Sequence, residues 1–408
     1  MMIQKRLLPI FLFFNSKQWL TVLSFFLIWG VSTLGYWKKY EWNPSSMVNF
    51  GYEFAIQNQT ETPEKAILFK GEAGDLGAGY DGQIFYYFSR PLSEFNLNWP
   101  KGFDESYRAP RIGYPLLIAL FGFLGKTAAI FGMYFWNIGL TLLSYFYLRN
   151  LLNEETKPYV ILYLLSPFAL GSYFVLVSDT VMVSILIIAY YYYVKKNYFP
   201  FIILSSLAIL TKEPALFLLF PLGLAALFRK DWKRIIVVGS VLIIPVCWHL
   251  YLAYRFPNWR PGRLTDFILP FEGLISYMES IWRLLGSGTN WKDLARLFSR
   301  FPLVILFFLG LFLPFTGKMK KGWEFRISFL LIMFMVGTAG YYHFWSVYEN
   351  VSRMFTLSIP VLLLLLNEDK NIRKQEYILF TLFILVLFLV KVLLISKQLS
   401  YQVGLIGF

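Results

Sequence analysis

Charge is scarce in this chain, and thiol and imidazole are almost absent. Only 15% of the 408 residues are Asp, Glu, Lys or Arg. The single cysteine, Cys247, permits no intrachain disulfide and leaves the redox compartment unreadable. Two histidines, His249 and His343, are too few for a zinc site built on imidazole. There is no phosphate-cradling glycine loop, no Ser/His/Asp nucleophile set and no Cys/His metal spacing.

What fills the chain instead is apolar. It is 57% hydrophobic and 20% aromatic, with a mean hydropathy of +0.54. A soluble domain could not bury so many apolar side chains, and runs near the ~20 residues needed to cross a bilayer recur from end to end. The net charge of +14 does not point to nucleic acid, because the basic residues form short clusters between apolar runs, where anionic headgroups attract them.

The N-terminus has Lys5, Arg6 and Lys17 before an apolar run at 19–36 with no small-residue cleavage site, which reads as an uncleaved first span. Further spans are expected at 127–148, 158–175, 180–194, 198–210, 214–228, 235–254, 301–315, 324–341, 353–366 and 376–396. The piece 112–125 is short, carries Pro115 and suits a re-entrant or interfacial helix. If it does not cross, Lys5/Arg6, Arg149/Lys157, Lys195/Lys196, Arg229 to Arg234, Lys318 to Lys321 and Lys370 to Lys374 share one side, as the positive-inside bias favours. The expected fold is thus an all-α polytopic integral membrane protein, one domain over 1–408. It has about eleven transmembrane helices, a cytoplasmic N-terminus and an outer C-terminus. A long first outer loop (37–126) carries membrane-parallel or re-entrant helices, and a second outer loop (255–300) has an amphipathic stretch at 274–285.

The remaining polar residues fall at outer positions. In Gly79-Tyr80-Asp81-Gly82-Gln83, two glycines flank an acid, so backbone or ligand can approach closely; the alternative is a turn whose Asp caps the next helix. Arg108 and Arg111, beside Tyr107, offer two guanidinium forks for phosphate or carboxylate, unless they snorkel to lipid phosphates. Asp179, after Ser178, opens a span and could be an N-cap alone. Lys212 and Glu213 sit between two short apolar runs, where a charge is costly unless paired or functional. His343, Glu349, Asn350 and Arg353 form a further group, and Arg353 opens a span on the outer side, which argues for a specific anion partner. Arg255, Arg260 and Arg263 could hold a lipid phosphate or only headgroups, and Asn58-Gln59-Thr60 is a sequon of a kind that often arises by chance. One or two carboxylates among several guanidiniums suit group transfer from a lipid-linked phosphate: cations balance the leaving phosphate and one base deprotonates the acceptor hydroxyl.

At Tyr80-Asp81-Gly82-Gln83 through Pro91, Tyr107-Arg108 with Arg111 and Tyr114-Pro115, Ser178-Asp179, Thr211-Lys212-Glu213, and Glu349-Asn350 with Arg353 and Pro360, the chain resembles the GT-C superfamily of polytopic glycosyltransferases. More narrowly, it is similar to bacterial membrane proteins of cell-surface glycopolymer formation. The resemblance implies a catalytic Asp in the first outer loop, here Asp81, and a supporting acid at Asp179. It also implies a polyprenyl-phosphate sugar donor, a glycan or glycolipid acceptor, and a periplasm-facing site in a bacterial inner membrane. Some members use a divalent metal (Mg or Mn) and others do not; here Asp81-Gly82 replaces an acidic pair. Two other readings compete. A flippase or transporter of a lipid-linked glycan would place ionisable residues at mid-membrane, where only Lys391 stands out. A polysaccharide polymerase or ligase would place its chief loop late in the chain.

Overall fold

The computed structural model describes residues 2–70, 79–260, 268–286, 291–394 and 402–405. The architecture is helical, with one hydrophobic core running from Phe11 to Val392. Five helices are long and apolar enough to cross a membrane: Gln18–Lys38, Lys126–Leu151, Trp232–Arg255, Tyr348–Glu368 and Gln375–Leu394. The expected count of eleven is therefore corrected to five among the described residues. The other apolar runs form helices of 10–17 residues, such as Asp179–Val194, Tyr198–Thr211, Glu213–Phe228 and Phe301–Phe315.

Local punctuation explains the shortfall. The run at 158–175 breaks at Leu165, and Ser166 caps a new helix that starts at Pro167, its hydroxyl accepting from the Ala169 N–H at 3.4 Å. Lys212 is fully extended (φ −167°, ψ 137°), which separates the runs on either side, and Pro214 falls in the first turn of the next. The run at 324–341 ends at Gly337 and passes into a single π turn, Tyr341–Trp345. The segment 112–125 folds as the helix Gly113–Gly122; at 10 residues it is about 15 Å long, too short to cross. A small ribbon interrupts the helical pattern: Phe50–Gly51 pairs in parallel with Ile67–Lys70, which pairs antiparallel with Gln402–Leu405.

Large apolar side chains face outward along the long helices, among them Phe26, Leu27, Leu34, Phe135 and Val386, each about half exposed. That is the surface a lipid-facing helix presents. Inside, many polar side chains are paired, as a water-free core favours. Trp29 stacks against Tyr173 with ring centroids 4.5 Å apart and donates to the Leu164 carbonyl at 3.2 Å. Asn137 donates to the Tyr114 hydroxyl at 2.8 Å.

The layer that positions the site is built from residues 44–70 and 79–125. Helices Asp81–Ser93 and Gly113–Gly122 run side by side, and Gly122 permits the contact: a Cβ there would lie 2.8 Å from Ser93 Cβ. Buried Arg90 ties them together, donating to the Gly122 carbonyl at 2.9 Å and pairing with Glu61 at 3.1 Å. The amphipathic stretch at 274–285 lies in the helix Glu272–Gly286, which buries Leu274, Tyr277 and Ile281 and exposes Ile275 and Trp282.

Candidate functional site

Asp81 is the first residue of its helix, and the motif around it is held from several sides. The Tyr80 N–H donates to the Asn49 carbonyl at 3.0 Å, and the Gln83 amide oxygen accepts from the Gly51 N–H at 2.8 Å. A Cβ on Gly82 would lie 2.5 Å from the Val175 carbonyl oxygen and 2.7 Å from that of Val48. Only glycine lets the helix start against those two carbonyls. The expected alternative, a helix-capping Asp, does not describe Asp81, because both its oxygens face guanidiniums. Arg108 NH1 lies 2.7 Å from Oδ1, and Arg353 NH1 donates to Oδ2 at 2.8 Å.

Arg353 continues to the second acid, its NH1 lying 4.0 Å from Asp179 Oδ2. Lys212 closes on Asp179 from the other side, with Nζ donating to Oδ1 at 2.5 Å. The extended backbone at Lys212 points the next side chain, Glu213, toward Arg111, whose Nε–H donates to its two oxygens at 2.9 and 3.1 Å. The Tyr80 ring lies 5.2 Å from the Arg353 guanidinium, and the Tyr80 hydroxyl donates to Asn350 Oδ1. Next to Asn350, Glu349 pairs with Lys391, the one charge that stood out within a long apolar helix.

Charge balance follows from this geometry. Burial pushes the Asp81 carboxyl up, but Arg108 and Arg353 outweigh it and hold the group far below the usual carboxylate range. Burial pulls Lys212 down, and Asp179 partly restores it. The anion partner that Arg353 demanded is internal: Asp81 and Asp179.

The structure thus brings together Tyr80, Asp81, Arg108, Arg111, Asp179, Lys212, Glu213, Glu349, Asn350 and Arg353. Two expected ligand contacts point elsewhere. Gln83 supports the backbone at Gly51, and Arg260 donates to the Pro257 and Trp259 carbonyls of its own loop at 2.9 and 2.8 Å. Arg263 and the His343 side chain lie outside the described residues. Asn58 of the sequon is buried, donating to the Phe54 and Lys101 carbonyls, so it is no glycan acceptor in this fold. Sequence reasoning passed over two residues that shape the site: Trp248 and Trp259 donate to the Ala109 and Glu105 carbonyls at 3.0 Å each, holding the turn in which Tyr107 contacts both Arg108 and Arg111. The signal available was indoles near the end of an apolar run, where they sit between wet and dry surroundings.

A Mg or Mn ion does not fit this donor set. Among the described residues no three His, Cys, Asp or Glu side chains converge, and a dication at Asp81 or Asp179 would face Arg108, Arg353 and Lys212. Compared with protein families, curated proteins and solved structures, the chain matches none. Chemically, the arrangement offers Asp81 and Asp179 in a partly buried cluster with Arg108, Arg353 and Lys212, suited to an anionic ligand and to proton transfer beside it.

Proposed function

We propose that this protein is an inverting glycosyltransferase of GT-C type. It takes a sugar from a polyprenyl-phosphate donor and passes it to a glycan or glycolipid acceptor on the outer face of a bacterial inner membrane. In this reading helices Asp81–Ser93 and Gly113–Gly122 lie along the outer leaflet and the five long helices anchor them. The observation that carries the reading is convergence. Asp81, Arg108, Asp179, Lys212 and Arg353 come from distant stretches of a charge-poor chain to one cluster, where stray charges would be costly against lipid.

In the reaction the acceptor oxygen forms a bond to the anomeric carbon while the bond to phosphate breaks. The electron pair leaves on the polyprenyl phosphate, and the hydroxyl proton passes to Asp81. A single displacement inverts the anomeric centre. Without ligand, Asp81 is a poor base because two guanidiniums hold it ionised. A donor phosphate that neutralises part of that charge returns its proton affinity, so base strength arrives together with the donor. The polymerase or ligase reading uses the same cluster and differs in its acceptor. The flippase reading finds less support, since Lys391 is paired with Glu349 beside the cluster.

The test is sugar transfer by the purified full chain with a polyprenyl-phosphate sugar. Asp81→Asn keeps the shape and removes the base, so transfer falls by about 10²–10⁴-fold. Near-normal transfer by a well-folded Asp81→Asn protein would sink the catalytic assignment.

A further inference from the structure

The charged groups of the site close into a ring. Asp81 meets Arg353, Arg353 meets Asp179, Asp179 meets Lys212, Lys212 precedes Glu213, and Glu213 meets Arg111. The ring returns through Arg108 to Asp81. Signs alternate around it except at one place: Arg111 and Arg108 both stand against the Tyr107 ring, their guanidinium carbons 4.1 and 4.9 Å from its centroid, with no carboxylate joining them. The ring holds four cations and three carboxylates, and the missing anion belongs at that gap.

Three further observations bear on the gap. Arg108 NH1 is buried and makes no hydrogen bond, because it faces Asp81 closely but out of line. Access exists, since Glu213 keeps half its side-chain surface and Tyr107 is half-buried. The turn is pre-set by Trp248 and Trp259 on its carbonyls and by Asp104, which accepts from the Tyr107 N–H at 3.3 Å. A rigid pair of forks loses little freedom on binding. Arg353, the rival position, already shares one nitrogen between two carboxylates.

We propose that a phosphate group seats between Arg108 and Arg111, against Tyr107 and beside Asp81. The lipid-linked source of that phosphate rests on the function proposed above; the seat itself does not. Arg108 then exchanges Asp81 for the phosphate, while Arg353 stays as the bracket that holds the two acids apart.

The experiment measures binding of farnesyl phosphate and of inorganic phosphate to the full chain in lipid nanodiscs. Arg108→Gln and Arg111→Gln should each weaken farnesyl phosphate by about tenfold or more, the size of one charge-assisted hydrogen bond. Arg111→Lys, which keeps the charge and loses the fork, should fall in between and guards against a folding defect. Glu213→Gln gives the opposite sign: freed of its carboxylate, Arg111 binds phosphate as well as or better than before. A merely structural Arg111–Glu213 pair predicts equal losses in both variants, and that result overturns the seat, as does wild-type affinity in Arg111→Gln or failure of both probes to bind. Inorganic phosphate binding as tightly as farnesyl phosphate, with the same arginine dependence, supports the seat and removes the lipid-donor reading. Farnesyl phosphate binding that ignores both arginines does the reverse.

Discussion

Two buried charge clusters lie near the two ends of the helix Tyr348–Glu368, and they are built in opposite ways. One contains Arg353 and the other Asp369, which directly follows the helix's last residue. The Asp369 cluster is saturated. Arg326 pairs with Asp369 at 2.7 Å and donates to the carbonyls of Lys321, Thr316 and Lys318 at 3.0, 2.7 and 3.0 Å, and to that of Pro314. The Asp369 oxygens also accept from the Lys318 and Asn371 N–H groups at 2.5 and 3.1 Å. The Arg353 cluster is unsaturated: Arg108 NH1, Asp179 Oδ2 and Ser178 Oγ are buried without a hydrogen-bond partner, and Asp81 keeps 20% of its side-chain surface. A saturated cluster fastens helix ends. An unsaturated one retains capacity to bind, at a cost in stability that a purely structural site need not bear.

That contrast can be broken experimentally. The largest effect is the loss of transfer in Asp81→Asn given above, measured on protein that remains folded; its melting temperature at neutral pH should fall as well, since the ionised carboxylate is lost from between two guanidiniums. Next comes Asp369→Ala, which leaves buried Arg326 without its counter-charge and should destabilise the chain by about 3–5 kcal/mol in denaturant titration. Phosphate affinity of whatever remains folded should be unchanged. A smaller effect is expected for Arg353→Lys. A point charge on a flexible stem cannot bridge Asp81 and Asp179 as a fork does, so transfer should drop roughly tenfold with little change in donor binding. A large loss of donor binding instead would make Arg353 a direct phosphate ligand. The smallest is a pH effect. Asp81 is held below its ordinary value, so the stability it contributes is present above about pH 4 and is lost as pH falls further. Asp81→Asn should flatten that acid limb in thermal melts, and an unchanged limb would mean the carboxylate contributes no such linkage.

The sequence exposed the polar half of this molecule better than its apolar half. In a chain with few charges, each acid or base away from the basic clusters is conspicuous, and Asp81, Asp179, Lys212 and Arg353 stood out for that reason. The span count failed because short runs such as 198–210 and 214–228, already separated at Lys212, were counted as crossings although they fold as helices of 10–17 residues, and because hydropathy does not register Ser166-Pro167, which cuts another run. Gln83 and Arg260 illustrate another limit: a polar side chain in the right loop can be engaged by its own backbone, and only the three-dimensional path shows it. Tyr107 was read as a neighbour of Arg108, whereas its contact with two guanidiniums depends on how the turn is held by Trp248 and Trp259.

The pairing of Asp81 with Arg353 also sets an order of assembly. The two residues are 272 positions apart. At a synthesis rate of about 5–20 residues per second, Arg353 leaves the ribosome roughly 15–55 seconds after Asp81. Through that interval Asp81 has Arg108 and Asp179 gains Lys212, so a chain arrested before residue 353 holds two separate ion pairs and lacks only the guanidinium that bridges them.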